Sequence, residues 1–183
     1  MDTHDSTGNL EDALGRLHAS GPERLGRLTN HAPMVVEALA AHGRADDVTD
    51  PDTARDRLTG LVRAATHRHA THGHGEATML VHAATAPNAV LRTLGSLPRA
   101  LRAPSLRAAW TASAAVTAMY PTAEPVADVP APRCTAQEVL ERALAHGDKH
   151  VVKLTDTARD VGDERALAAA LRAVELSDPL VPN

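Results

Sequence analysis

Aromatic side chains are nearly missing from this chain: Trp110 and Tyr120 are the whole complement, and there is no Phe. A core without large rings must be filled by Leu, Val, Ala and a few Met. Such residues suit helix–helix interfaces, where Ala lets backbones approach closely. Scarce aromatic and Ile residues speak against a sheet-dominated fold, and they remove the stacking platforms that hold single-stranded nucleic acid. Charge gives nucleic acid no better footing, because the net charge is -4, both signs are mixed, and no Lys/Arg block appears. Cys134 is the single cysteine, so an intrachain disulfide is excluded and a reducing compartment is expected. MDTHDSTGNLEDALG lacks the basic start and apolar core of a secretory leader, and no run is apolar for long enough to span a membrane. Rossmann and phosphate-loop glycine motifs are missing too, which leaves NADPH without a motif. These absences predict a cytoplasmic all-α protein that needs neither nucleic acid nor membrane.

A chain of 183 residues fits one domain, and we read 1–183 as a single bundle-like helical unit. Asn9 is placed to cap a first short helix, which ends near Gly21-Pro22. Asn30 caps a second, with Pro33 in its first turn and Met34, Val35, Ala38 and Leu39 on its apolar side. That helix ends by Gly43, and residues 44–51 read as a loop. Asp50 or Asp52 then starts a helix carrying Leu58, Leu61 and Val62. Residues 76–87 are apolar enough for a central helix, which Pro87 should break or bend. Helical character continues over 88–94 and 106–119. Four prolines between Pro121 and Pro132 mark 121–133 as a Pro-rich loop. Two helices, around 135–160 and 163–176, close the chain.

The candidate chemistry lies mainly in the histidines, of which there are 11. If the tail segment is one helix, His146, His150, Lys153 and Thr157 share one side of it, at the margin of an apolar face formed by Val151, Leu154 and Ala158. Two imidazoles and an amine so placed either point into a wet pocket or face solvent. His31 sits in the first turn of a helix, where exposed N–H groups disfavour a cationic ring and keep its ligand form available. His82 is flanked by Met79, Leu80, Val81, Ala83 and Ala84, so its ring should be partly buried and in need of partners. His67, His69, His72 and His74 are spaced like a metal-binding tract, whereas His4, His18 and His42 read as surface or capping residues. Lys153 sharpens the metal reading. Near a cation and imidazoles its ammonium form would be disfavoured, and the neutral amine adds carbon dioxide to give a carbamate, an anionic oxygen ligand. Histidines plus one such anion suit Fe(II), with a position left for dioxygen or substrate. The competing reading is a lysine stem in water.

Three stretches bear a resemblance beyond these local patterns. LTNHAPMVVEALAAHGRADDV at 28–48, ATMLVHAATAPNAVLRTLGSLPRALRAPSLRAAWTASAAVTAMYP at 77–121 and EVLERALAHGDKHVVKLTDTARD at 138–160 resemble, in order, segments of the questin oxidase-like family. The resemblance implies a helical fold and an oxygenase of aromatic-polyketide metabolism, acting on phenolic or quinone-type polycyclics by ring cleavage or Baeyer–Villiger-type chemistry. It implies non-haem iron held by His31, His82 and His150, with Lys153 as the carboxylated lysine and Lys153 and His150 as the catalytic pair. It also implies NADPH for some members, and dioxygen and a small aromatic molecule as the reactants. The chain departs from the family in length: residues 49–76 stand in place of a longer middle segment, where His72 or His74 would have to supply a ligand. Asp148 and Glu37 are candidates for orienting a ligand or moving a proton. The alternative is a catalytically degenerate member that binds small molecules or assembles as a homodimer, and structural zinc is a third class.

Overall fold

Leu58, Val62, Thr66 and Ala70 recur every fourth residue, a spacing that a helix gathers onto one side. In the computed structural model they form the buried stripe of α1, Ala54–His72. The structure describes residues 53–120, 124–126 and 132–180, together with the backbone of 23–24 and 28–29. The two-residue strands Glu23–Arg24 (β1) and Leu28–Thr29 (β2) pair antiparallel, Glu23 opposite Thr29. The helices expected from Asn9 and from Asn30, and with them His31 and Glu37, lie outside the described residues.

Among the described residues, five further helices follow α1. A 3₁₀ turn at Gly73–Gly75 leads into α2, Ala77–Thr93, and another at Leu94–Ser96 precedes α3, Arg99–Met119. The chain then forms α4, Ala136–His146, α5, Lys149–Val161, and α6, Glu164–Leu176. The architecture is all-α, and no helix among the described residues is long and apolar enough to cross a membrane. α2 is central: it packs on α1, α3 and α5, while α6 closes against α1 and α5.

Two sequence expectations need correction. Of the break or bend expected at Pro87, the break does not occur, since α2 runs through it without interruption. A residue at this position would normally donate its N–H to the carbonyl of Ala83, one turn back, and proline has none to give. The hydroxyl of Ser113, reaching from α3, donates to that carbonyl at 2.8 Å instead. The orphaned acceptor is therefore satisfied across a helix interface.

The second correction concerns the tail, where three helices stand in place of two. Gly147 takes the left-handed conformation (φ 79°) and ends α4, a geometry that costs a residue with a Cβ much more than glycine. Asp148 then caps α5, its carboxylate accepting from the backbone N–H groups of His150 and Val151 at 2.7 and 3.1 Å. The same device recurs at the next junction, where Gly162 (φ 75°) ends α5 and Asp163 caps α6. The other end of α4 is fixed by a capping box between Thr135 and Glu138.

Alanine dominates the interfaces, as the lack of aromatic residues requires. One core cluster joins α2, α4, α5 and α6 through Val81, Ala84, Ala143, Val151, Leu154 and Ala173. Another joins α1 to α3 through Ala54, Leu58, Leu94, Leu106 and Ala109. Five alanines of α6 (Ala166, Ala168, Ala169, Ala170 and Ala173) are buried, so that helix can approach its neighbours closely.

Candidate functional site

His82 projects from α2 and His150 from the first turn of α5, and the two rings meet edge to face, with centroids 5.2 Å apart and planes at 65°. Each ring has its Nδ1 turned toward an oxygen of its own helix. His82 Nδ1 donates to the Thr78 carbonyl one turn back, at 3.1 Å. His150 Nδ1 lies 3.4 Å from the Asp148 carboxylate. In a neutral ring, a proton held at Nδ1 leaves the lone pair on Nε2, the arrangement found in metal-binding and general-base histidines.

Burial pushes the proton affinity of His150 below the ordinary histidine value, and His82, Lys149 and Lys153 add to the effect while Asp148 opposes it. The neutral ring is thus the favoured form near neutral pH. Burial also works against ionisation of Asp148, but the Val151 and His150 N–H groups and the His150 and His146 rings outweigh it and keep that carboxyl below its usual range. Because Asp148 is the group that supports the charged form of His150, Asp148→Asn should lower the His150 titration midpoint further. Ring-proton NMR would check this, and an unchanged or raised midpoint would show that the carboxylate does not act on the ring.

A second polar cluster on the same two helices holds this pair in place. Asn88 Nδ2 donates to Asp160 and Thr157 at 2.8 and 3.3 Å, and Arg92 bridges Asp156 and Asp160 at 2.6 Å each. Successive contacts (82 with 150, 88 with 157, 92 with 160) show that α2 and α5 run side by side in the same direction. Arg92 keeps its proton more tightly than a free arginine, chiefly through the Asp156 and Asp160 bonds. The sequence reading missed this cluster. Its signal was Asn88 and Arg92 four apart on one helix, and Asp156 and Asp160 four apart on the other.

The remaining sequence candidates are distributed as follows. Lys153 follows His150 by one turn and is exposed to solvent. His146 does not share the row with His150, because the break at Gly147 turns it away; it is buried, and its Nε2 donates to the Ser177 carbonyl at 3.0 Å. Thr157 is buried on the Asn88 side. Asp156 is tied to Arg92. The 67–74 tract does not converge. His67 bonds Asp163 at 2.8 Å, His69 is buried in the core, the His72 ring meets the Thr71 hydroxyl, and His74 is exposed.

The Nε2 atoms of His82 and His150 suit a borderline transition metal. Lys153 stands in solvent and is not enclosed beside the two rings. Among the described residues no group of three or more His, Cys, Asp or Glu side chains is placed to hold a metal ion. These residues alone therefore do not make up the full iron centre that the resemblance implies. A cavity bounded by Ala65, Arg68, His69, Leu80, Ala83 and Thr117 has a volume of about 10 Å³, room for one water molecule and not for a polycyclic substrate. No family model, curated protein or solved structure matches the chain.

Proposed function

We propose that this chain is a non-catalytic helical assembly protein that pairs with a second copy of itself through the outward face of α3. The observation that carries this reading is the periodicity of that face. Leu101, Pro104, Ala108, Ala112, Ala115 and Met119 fall within a narrow strip on the side of α3 opposite its buried residues Ala103, Leu106, Ala109 and Ser113. The first four of the strip are exposed, Leu101 by 50 %. Charge selects the pairing direction. Arg99, Arg102 and Arg107 occupy the first half of α3, which has no acidic residue, so an antiparallel pair separates the two arginine groups. It also sets each group beside the electronegative carboxyl end of the facing helix.

A helix of 21 residues is about 31 Å long, and one such face against another buries at the low end of specific interfaces, below about 1,200 Å². The association is accordingly weak and concentration-dependent. Ala112→Glu, which places a charge in the centre of the strip at an exposed position, should leave the thermal midpoint within a few degrees of the parent while abolishing self-association on size-exclusion chromatography. A variant that still associates like the parent rules out this face.

The second reading is an iron-dependent oxygenase acting on an aromatic small molecule, with His31 joining His82 and His150 as a ligand. The close approach of His82 and His150, with neither Nε2 bonded among the described residues, supports it. Anaerobic loading with Fe(II) and bicarbonate discriminates the two readings. Near-stoichiometric iron that is lost in both His82→Ala and His150→Ala supports the oxygenase, and no retained iron in the parent protein sinks it.

A further inference from the structure

His69 is 1 % exposed, and neither reading of function uses it. Its Nε2 lies 3.2 Å from the carbonyl of Ala77, the first residue of α2. The next carbonyl along, that of Thr78, is the one that fixes the His82 ring. α1 therefore reaches across the Gly73–Gly75 turn and grips the peptide adjoining the one that orients His82. The ring has little freedom to leave, since Gly73 lies flat against it: a Cβ added there would sit 2.8 Å from His69 Cε1.

The surroundings of the ring are hostile to a positive charge. Arg68 of its own helix lines the same cavity, with a buried and unpartnered Nε. From α6 come the Ala169 carbonyl and the charge of Arg172, the latter paired with Glu175 at 2.8 Å. α2 and α3 contribute Leu80, Ala83 and Thr117, which carry no charge. No carboxylate among the described residues is bonded to His69.

We propose that His69 is a positioning residue that pins the first turn of α2 to α1, and that acid releases the pin and with it the orientation of His82. Burial, with Arg172 acting in the same sense, outweighs the Ala77 and Ala169 carbonyls and lowers the proton affinity of the enclosed ring below the ordinary value of 6.5. An opened form, with the ring in water, takes up a proton more readily. The pin is at full strength above about pH 6.5 and weakens as pH falls toward the folded-state value. The pin is independent of both readings of function.

The test is amide hydrogen exchange followed by NMR between about pH 7 and pH 5, with protection corrected for intrinsic rates. Protection at Val81 and His82, whose helical acceptors are the Ala77 and Thr78 carbonyls, should fall about tenfold for each unit by which His69 is lowered. α4, which contributes no residue to the cavity beside His69, should keep its protection. His69→Gln retains an N–H donor and does not titrate, so the pH dependence at Val81 and His82 should vanish. Persistence in that variant, or an equal loss in all six described helices, overturns the proposal. So does a wild-type His69 ring that titrates at or above the ordinary histidine value, a measurement that decides the matter even if the glutamine variant does not fold.

Discussion

Leu154→Ala should cost about 3–5 kcal/mol of folding stability, at the high end of the range for such truncations. Leu154 is fully buried where α2, α4, α5 and α6 meet. Its buried neighbours Val81, Ala84, Ala143, Val151 and Ala173 are short, and none has a side chain long enough to swing into the space left behind. A cavity that cannot collapse keeps its full penalty, which rises with its volume. In a domain whose total stability is roughly 5–15 kcal/mol, urea denaturation would show a large fall in midpoint. A loss below about 1.5 kcal/mol would mean that the alanine-rich helices close up freely, and that close packing is not what holds them in register.

Ser113→Ala is expected to cost about 1–3 kcal/mol, although it removes only one oxygen from a core otherwise suited to alanine. Ser113 is buried, and its hydroxyl supplies the hydrogen bond that Pro87 cannot give to the Ala83 carbonyl. Without it, a buried acceptor is left with no partner from α3. The explanation makes a sharper claim through a double-mutant cycle. In a Pro87→Ala background, a backbone N–H is restored at the right position, so Ser113→Ala should then cost less than about 1 kcal/mol. Equal costs in the two backgrounds would show that the serine stabilises the fold by some other route.

Pro87 also shows why part of this fold was legible in the sequence and part was not. Proline inside a helix is locally unfavourable, and its remedy comes from a serine on another helix, which no local pattern reveals. The all-α class was legible because it follows from bulk composition: few aromatic residues, abundant alanine and apolar spacing of three to four. The break at Gly147 could have been read and was not. Gly-Asp at 147–148 matches Gly-Asp at 162–163, and each pair supplies a left-handed stop followed by a cap. Reading through the first pair placed His146 in a row with His150, where the structure has it bonded to Ser177.

The candidate site divides in the same way. The expectation that His82 would be partly buried and in need of partners came from its apolar flanks, and it is indeed half-buried with Nδ1 on the Thr78 carbonyl. Its meeting with His150 is a tertiary contact that no spacing on either helix contains. The 67–74 tract looked like one site because its histidines are close in sequence. A helix turns by about 100° per residue, which sends His67 to Asp163 at the start of α6 and His69 into the core.

Sedimentation equilibrium of the wild-type chain over a wide range of concentration tests self-pairing through α3. The expected result is a reversible monomer–dimer equilibrium that disappears in Ala112→Glu. A wild-type chain that remains monomeric at the highest concentration would contradict self-pairing through α3.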